Sequence, residues 1–269
     1  MKIIDAHIHF AERDHFDHLA REAGHHNSQE RLKADFDQLD IVGAVVMGIR
    51  DLQLENHVYP GFMRYCLGLG GDSFSGADAA NTLRQVERHL QRDSCVGLKL
   101  YPGYTSLYVH DPVYAPFLEL AAQHDKPVAI HTGELASNWG VVKYSHPLTV
   151  DEVATVHPKT RFVLCHLGNP WIMDAAVVIG KNPNVSADLS GFLKGKQDMQ
   201  GYFADNKSYL DYIKMCLQYM QAWDRLMYGT DWPLANMENY VAFIAELIPA
   251  RYHDMVFYQN AQRIYGVDF

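Results

Sequence analysis

Short apolar stretches recur along the chain, most of them closed off by Gly, Pro, Asp or Asn. Eight can be read: KIIDAHIH (2–9), GAVVMGI (43–49), RYCLGLG (64–70), VGLKLYP (96–102), PVAIHTG (127–133), RFVLCHLG (161–168), VSADLSG (185–191) and RLMYGTDWP (225–233). Most intervals between them carry apolar residues at helical spacing. Leu83, Val86 and Leu90 share one face of 78–92, and 113–124, 149–157, 171–181, 208–222 and 238–248 also read as helices. Asn27 and Glu30 suit an N-cap and capping box ahead of RLKADFDQLD. The interval 50–64 allows only a short helix or an irregular link. Segments 10–27 and 191–207 read as long loops.

Strands that alternate with helices make βαβ units and a parallel sheet. Eight such units in 269 residues predict an α/β fold, a single (β/α)8 TIM barrel spanning 1–269 as one domain. An open doubly wound sheet is the rival, but no GxGxxG opens a helix after any strand. No internal repeat, low-complexity tract or linker interrupts the chain. Both long loops then belong to the rim at the C-terminal ends of the strands, where barrel sites are built.

A period of two assigns the faces of each strand. It predicts Asp5, His7 and His9 facing the axis, with Ile4, Ala6 and Ile8 facing the helices. It likewise sets Gly97, Lys99 and Tyr101 against Val96, Leu98 and Leu100, and aligns Ala129 with His131. Phe162 and Leu164 fall in line with His166, Ser186 and Asp188 with Ser190, and Met227 and Gly229 with Asp231. Polar side chains therefore gather at the C-terminal ends of the strands. Each alone has a plain structural explanation, a satisfied histidine or an Asx turn. Together, an HxH on one strand with His and Asp ending others reads as a divalent-metal site, because only strands curled around one axis can share an ion.

Composition adds bounds. The net charge of −9 and the absence of like-charge blocks argue against nucleic acid or an anionic membrane as partner. A small-molecule substrate is expected, with a homodimer as an open option. The four scattered cysteines, none in a CxxC, read as reduced thiols. No apolar run reaches the roughly 18 residues of a membrane span, and no signal-peptide pattern opens the chain, so a cytoplasmic protein is expected.

IIDAHIHF, GLKLYPGY, AIHTGE, VLCHLGNP and LMYGTDWP, followed by YQNAQRIYG (258–266), resemble the amidohydrolase superfamily across the whole chain. Within it they are similar to the amidohydrolase-related (amidohydrolase 2) group of decarboxylases and lactone hydrolases. The resemblance implies His7, His9, His131 and Asp231 as metal ligands, and His166 as a catalytic histidine or a ligand to a second ion. TatD-like nucleases share the HxH, but Lys99 stands where their glutamate would be. KLYP also resembles dihydroorotases, whose carboxylated lysine bridges two metals. Phe10-Ala11 after HxH departs from that pattern, so a free, substrate-facing Lys99 is the preferred reading and a bridging carbamate the other. One divalent ion is expected, Zn2+ foremost, with Mn2+, Fe2+ or Co2+ open.

The expected chemistry is hydrolysis, with a metal-activated water attacking the carbonyl carbon of a lactone, amide or related bond in a small carboxylate-bearing substrate. Asp231 would act as general base and His166 would polarise the carbonyl or orient the water. Non-oxidative decarboxylation of an aromatic or unsaturated acid is the alternative, and a non-catalytic metal- or ligand-binding barrel a third. Tyr101, Glu134, Trp139 and Trp171 are candidate pocket walls. His15, His18, His25 and His26 read as a solvated loop, and Asp5 as a partner that orients a ligand. Closure of 191–207 on its glycines would exclude water.

Overall fold

The computed structural model describes residues 1–11, 14–70 and 79–269, with the side chains of 14 and 15 outside that description. His15 therefore lies outside the described side chains. Eight strands run β1 Ile3–Ile8, β2 Ile41–Met47, β3 Met63–Gly68, β4 Cys95–Leu100, β5 Val128–His131, β6 Phe162–Cys165, β7 Val185–Asp188 and β8 Leu226–Met227. Consecutive strands pair in parallel in the order β1 to β8. The last returns to the first: Ala6 N donates to Tyr228 O at 2.9 Å, Asp231 N to His7 O at 2.8 Å and His9 N to Trp232 O at 2.7 Å. This is the (β/α)8 TIM barrel that the alternating elements predict. Among the described residues, no helix is long and apolar enough to cross a membrane.

The helices are α1 Asp14–Glu22, α2 Gln29–Gln38, α3 Ala79–Leu90, α4 Pro102–Thr105, α5 Ala115–Gln123, α6 Leu148–Val156, α7 Ile172–Lys181, α8 Met199–Asp205, α9 Lys207–Met220, α10 Met237–Leu247 and α11 Asn260–Tyr265. Segment 10–27 is therefore not all loop, since α1 fills its middle. The cap of α2 is Ser28, whose hydroxyl accepts from Arg31 N at 3.3 Å, in place of Asn27. Asn27 instead donates to Ala11 O and to Asp17. Segment 191–207 is anchored: Gly195 N donates to Leu234 O, Asn236 N to Gly195 O, and Phe192 N to the Tyr240 hydroxyl. Phe192 and Leu193 are buried as well. The expected swinging lid is thus tied down at its root, with α8 ending the segment.

Strict alternation fails at a bulge in β1 and in β4, and β6 alternates in the phase opposite to that expected. One apolar cluster joins Ile4, Ala6, Val45, Met47, Cys66, Val96, Ala129, Val163, Cys165 and Met227 to Tyr265 and Val267 of the C-terminal segment. Residues from so many strands meet only inside the barrel, so Ile4, Ala6 and Val96 point inward, against expectation. A bulge explains β1: Asp5 pairs with Ala44 but Ile8 with Val46, so one extra residue rephases the strand before His7. A second shift, between Tyr65–Cys95 and Cys66–Gly97, rephases β4. In β6 it is Val163 and Cys165 that face inward, while Phe162 and Leu164 join the outer cluster with the helices. Phe269 seals the opposite end against Gly43, where a Cβ would stand 2.3 Å from its ring.

Asp5 is fully buried and turned toward β8. It accepts from Thr230 N at 3.0 Å, Thr230 Oγ1 at 2.7 Å and His7 N at 3.2 Å. One carboxyl group thus reinforces the backbone hydrogen bonds of the seam where the barrel closes. Burial pushes Asp5 up to about 7, against the downward pull of the Thr230 and His7 hydrogen bonds. With the folded value above the ordinary 3.8, its contribution to stability is complete below that pH and is withdrawn as pH rises through about 7. Asp5→Asn, which does not ionise, is expected to flatten this decline of about a few kcal/mol. Urea midpoints measured across that window check it; an equal slope in both proteins would contradict it.

Candidate metal centre

The rephased β1 delivers His7 and His9 to the C-terminal mouth of the barrel. His7 is fully buried, and its Nδ1 donates to Asp188 Oδ2 at 2.9 Å. Burial lowers the imidazole's pKa despite the nearby Asp188 charge. Burial works against the Asp188 anion, but His7 and the other donors outweigh it and hold the carboxyl below the ordinary range. The pair is therefore a neutral imidazole on an ionised carboxylate, which fixes the proton on Nδ1 and leaves the Nε2 lone pair free. Gly229 permits the approach, because a Cβ there would stand 3.0 Å from His7 Cβ.

That lone pair faces Asp231 Oδ1 at 3.3 Å, and His9 Nε2 lies 3.2 Å from the same oxygen. His7 Nε2 and Asp231 Oδ1 are buried without a hydrogen-bond partner. Two acceptors pressed together in a dry site repel unless a cation joins them. The ligand atoms of His7, His9 and Asp231 all fall within 4.8 Å of one another, so a divalent ion fits the trio. Burial opposes the Asp231 anion, yet His166, His9 and His7 hold its pKa well below the usual value.

His166 reaches the site by a turn rather than by strand register. β6 ends at Cys165, and His166 and Leu167 take φ of 61° and 44°. Asp231 also has a positive φ, 58°. Left-handed backbone at non-glycine residues costs about 1–3 kcal/mol each and concentrates at functional sites. Gly191 leaves the space His166 needs, since a Cβ would meet Nδ1 at 2.9 Å. His166 Nδ1 lies 2.8 Å from Ser190 Oγ and 4.0 Å from Asp231 Oδ2, and Nε2 lies 3.2 Å from His131 Nδ1. Ser190 in turn donates to Asp188 Oδ1, which also accepts from His166 N at 2.9 Å. Burial lowers His166 to about 4 and His131 well below its ordinary value. His131 turns Nε2 to the Glu134 carbonyl at 3.0 Å and so stands beside the trio without joining it.

The site opens into a cavity of about 950 Å3 lined by His9, His131, His166 and Asp231 together with Tyr101, Tyr104, Glu134 and Lys194. Lys99 is not among its lining residues. Fully buried beneath the floor, Lys99 donates to Cys165 Sγ at 2.6 Å, with the Tyr101 ring 5.2 Å away. The carboxylates nearest in the sequence pattern do not pair with it: Asp188 is engaged by His7, and Glu134 by Lys194 at 3.3 Å. Cys165, Asp188 and His7 form a second close group, but Lys99 and the His7–Asp188 bond already occupy its ligand atoms. Trp139 is mostly exposed beside Tyr104, and Trp171 sits against His146, both outside the cavity lining. His18 and His26 are exposed, whereas His25 is buried between Asp35 and the Met237 amide.

Arg50, three residues past the end of β2, is a further polar residue at the C-terminal mouth that the motifs do not single out. Its guanidinium stands 4.2 Å over the Tyr101 ring within the cavity. The pattern after β2 predicts only a short helix or an irregular link, although the strand-end rule applies there equally. Asp188 also escaped notice as the group that orients His7. Asp188→Asn is expected to weaken divalent-metal affinity about 10–100-fold, the usual effect of losing a carboxylate behind a ligand histidine. Zinc titration by calorimetry checks this, and unchanged affinity would contradict it.

The amidohydrolase family model matches residues 4–267. No curated protein matches the chain. Among solved structures, an uncharacterized TIM-barrel protein from Bordetella bronchiseptica is 19% identical at a TM-score of 0.74, with 99% of each chain covered. A probable 2-pyrone-4,6-dicarboxylic acid hydrolase from Acinetobacter baumannii is 15% identical at 0.63, covering 99% of this chain and 100% of that one. A 5-carboxyvanillate decarboxylase from Novosphingobium aromaticivorans, complexed with manganese, is 15% identical at 0.67, covering 99% and 96%. At such identities the likeness to these structures shows the fold. The family match takes in every strand end described above, and the chain belongs to the amidohydrolase family.

Proposed function

We propose that the protein is a metal-dependent hydrolase acting on a carbonyl-centred C–O or C–N bond of a small, carboxylate-bearing substrate. The observation that carries the reading is the unpartnered pair of acceptors, Asp231 Oδ1 at the cavity floor and His7 Nε2 buried behind it. His7, His9 and Asp231 would hold the ion, and His131 would join as a fourth ligand by turning from the Glu134 carbonyl. Zn2+ is the first candidate and Mn2+, Fe2+ or Co2+ the others. Such an ion supplies a Lewis acid and lowers the pKa of water toward about 7.

The side chains supply the rest. Asp231 Oδ2 faces the cavity beside His166 and is placed to take a proton as general base. His166, held neutral by burial, is placed to orient the water or the carbonyl. Arg50 offers a cation to the substrate carboxylate. Two solved neighbours are named for carboxylated ring compounds, a pyrone dicarboxylic acid and a carboxyvanillate, which agrees with such a substrate. A second metal bridged by Lys99 gains no support from its contact with Cys165.

One feature favours decarboxylation as the second reading. Contacts run from the Glu134 carbonyl through His131, His166, Ser190 and Asp188 to His7. That makes one more contact than four neutral side chains have protons to fill, so the row has a place for one additional proton, which a departing carboxylate's carbon would require. Burial keeps His131 and His166 neutral, and an empty acceptor suits the removal of a proton from water better.

Lactones, amides and carboxylated phenols, assayed with zinc or manganese, separate the readings. Acid produced from a lactone or amide, lost by about 100-fold or more in Asp231→Asn, is the expected result. Carbon dioxide from a phenolic acid, with no lactone or amide opened, would replace hydrolysis by the second reading.

A further inference from the structure

Arg50 stands in the cavity at the root of a segment that is held from outside the barrel. The Tyr59 hydroxyl bonds the Ile49 backbone. The Asp51 carbonyl accepts from His57 Nε2 at 2.6 Å, the Leu52 carbonyl from His89 Nε2 at 3.1 Å and the Leu54 carbonyl from Arg92 Nη1 at 3.1 Å. A carbonyl only accepts, so both imidazoles carry their proton on Nε2. His89 Nδ1 is then free to accept from the Tyr65 hydroxyl at 2.8 Å, which agrees with the same tautomer. His57 lies flat on Tyr65 at 4.9 Å and edge-on to His89 at 4.8 Å. Burial lowers both histidines, His89 to about 4, so this group works uncharged.

His57 and His89 are almost wholly buried, and neither lines the cavity. Yet every hydrogen bond they make to the backbone falls on the residues just after Arg50. A buried imidazole spent on a neighbouring loop's carbonyl fixes that loop's path, and here the path sets where a guanidinium stands. Tyr101 receives it from the other side.

We propose that His89, with His57 and Arg92, is a positioning residue that holds the 51–54 backbone so that Arg50 stays over Tyr101, ready for an anionic substrate group. The inference rests on the reading that Arg50 receives a carboxylate. It assigns to α3 and the β2–β3 connection a part in substrate selection, although neither histidine touches the cavity.

The test uses the zinc-loaded full-length protein, with phthalate as the probe anion. Nuclear magnetic resonance of the Arg50 guanidinium reports its stacking on Tyr101, because the ring current shifts a group held that close. His89→Phe keeps the ring volume and loses the donor to Leu52. It is expected to abolish the ring-current shift and to weaken phthalate binding about 10-fold, the value of one charge-assisted contact, with zinc content unchanged. His89→Gln, whose side-chain amide reaches the same carbonyl, is expected to restore both. An unmoved Arg50 resonance in folded His89→Phe would overturn the proposal. If His89→Phe does not fold, Arg92→Met must move the Arg50 resonance, or the proposal falls. Should Arg50→Ala leave phthalate binding unchanged while His89→Phe still moves the resonance, the clamp stands and the carboxylate-receiving role of Arg50 fails.

Discussion

The site depends on one imidazole placed between two carboxylates. Asp188 accepts the hydrogen bond from His7 Nδ1, and Asp231 faces the bare Nε2. The first contact is favourable as it stands. The second is a juxtaposition of acceptors that a shared cation would relieve. Much of the local architecture serves this arrangement. The bulge in β1 turns His7 inward, Gly229 clears its Cβ, and the Asp5 seam to Thr230 fixes the backbone on both sides of Asp231. The positive φ at Asp231 is sustained by those anchors.

Charges are sorted by depth. Below the floor lies Lys99, matched to Cys165 and the Tyr101 ring. At the floor are acceptors, the imidazoles kept neutral by burial and Asp231 kept ionised by the imidazoles around it. Higher in the cavity stand the cations Arg50 and Lys194. A substrate with an anionic end and an electrophilic centre would span the last two layers.

The barrel and the ends of its strands were legible because a strand reads in a few residues: apolar run, polar terminus, breaker. HxH, His131, His166 and Asp231 stood out for the same reason. What could not be read is anything that depends on an extra residue or an unusual dihedral. Period two placed Ile4, Ala6 and Val96 outward, and bulges in β1 and β4 reversed them. It brought His166 in through Phe162 and Leu164, whereas a left-handed turn brings it in. The 191–207 segment looked free because its anchors, Leu234 and Tyr240, lie about 40 residues further along. Arg50 was readable by the strand-end rule but sat in front of a stretch with no regular pattern.

Anomalous X-ray scattering from crystals of the zinc-loaded protein tests the central claim most directly. The account predicts a peak within about 2.0–2.2 Å of His7 Nε2, His9 Nε2 and an Asp231 oxygen. A zinc-loaded crystal with no peak there, or with its peak among Cys165, Asp188 and Lys99, would contradict it.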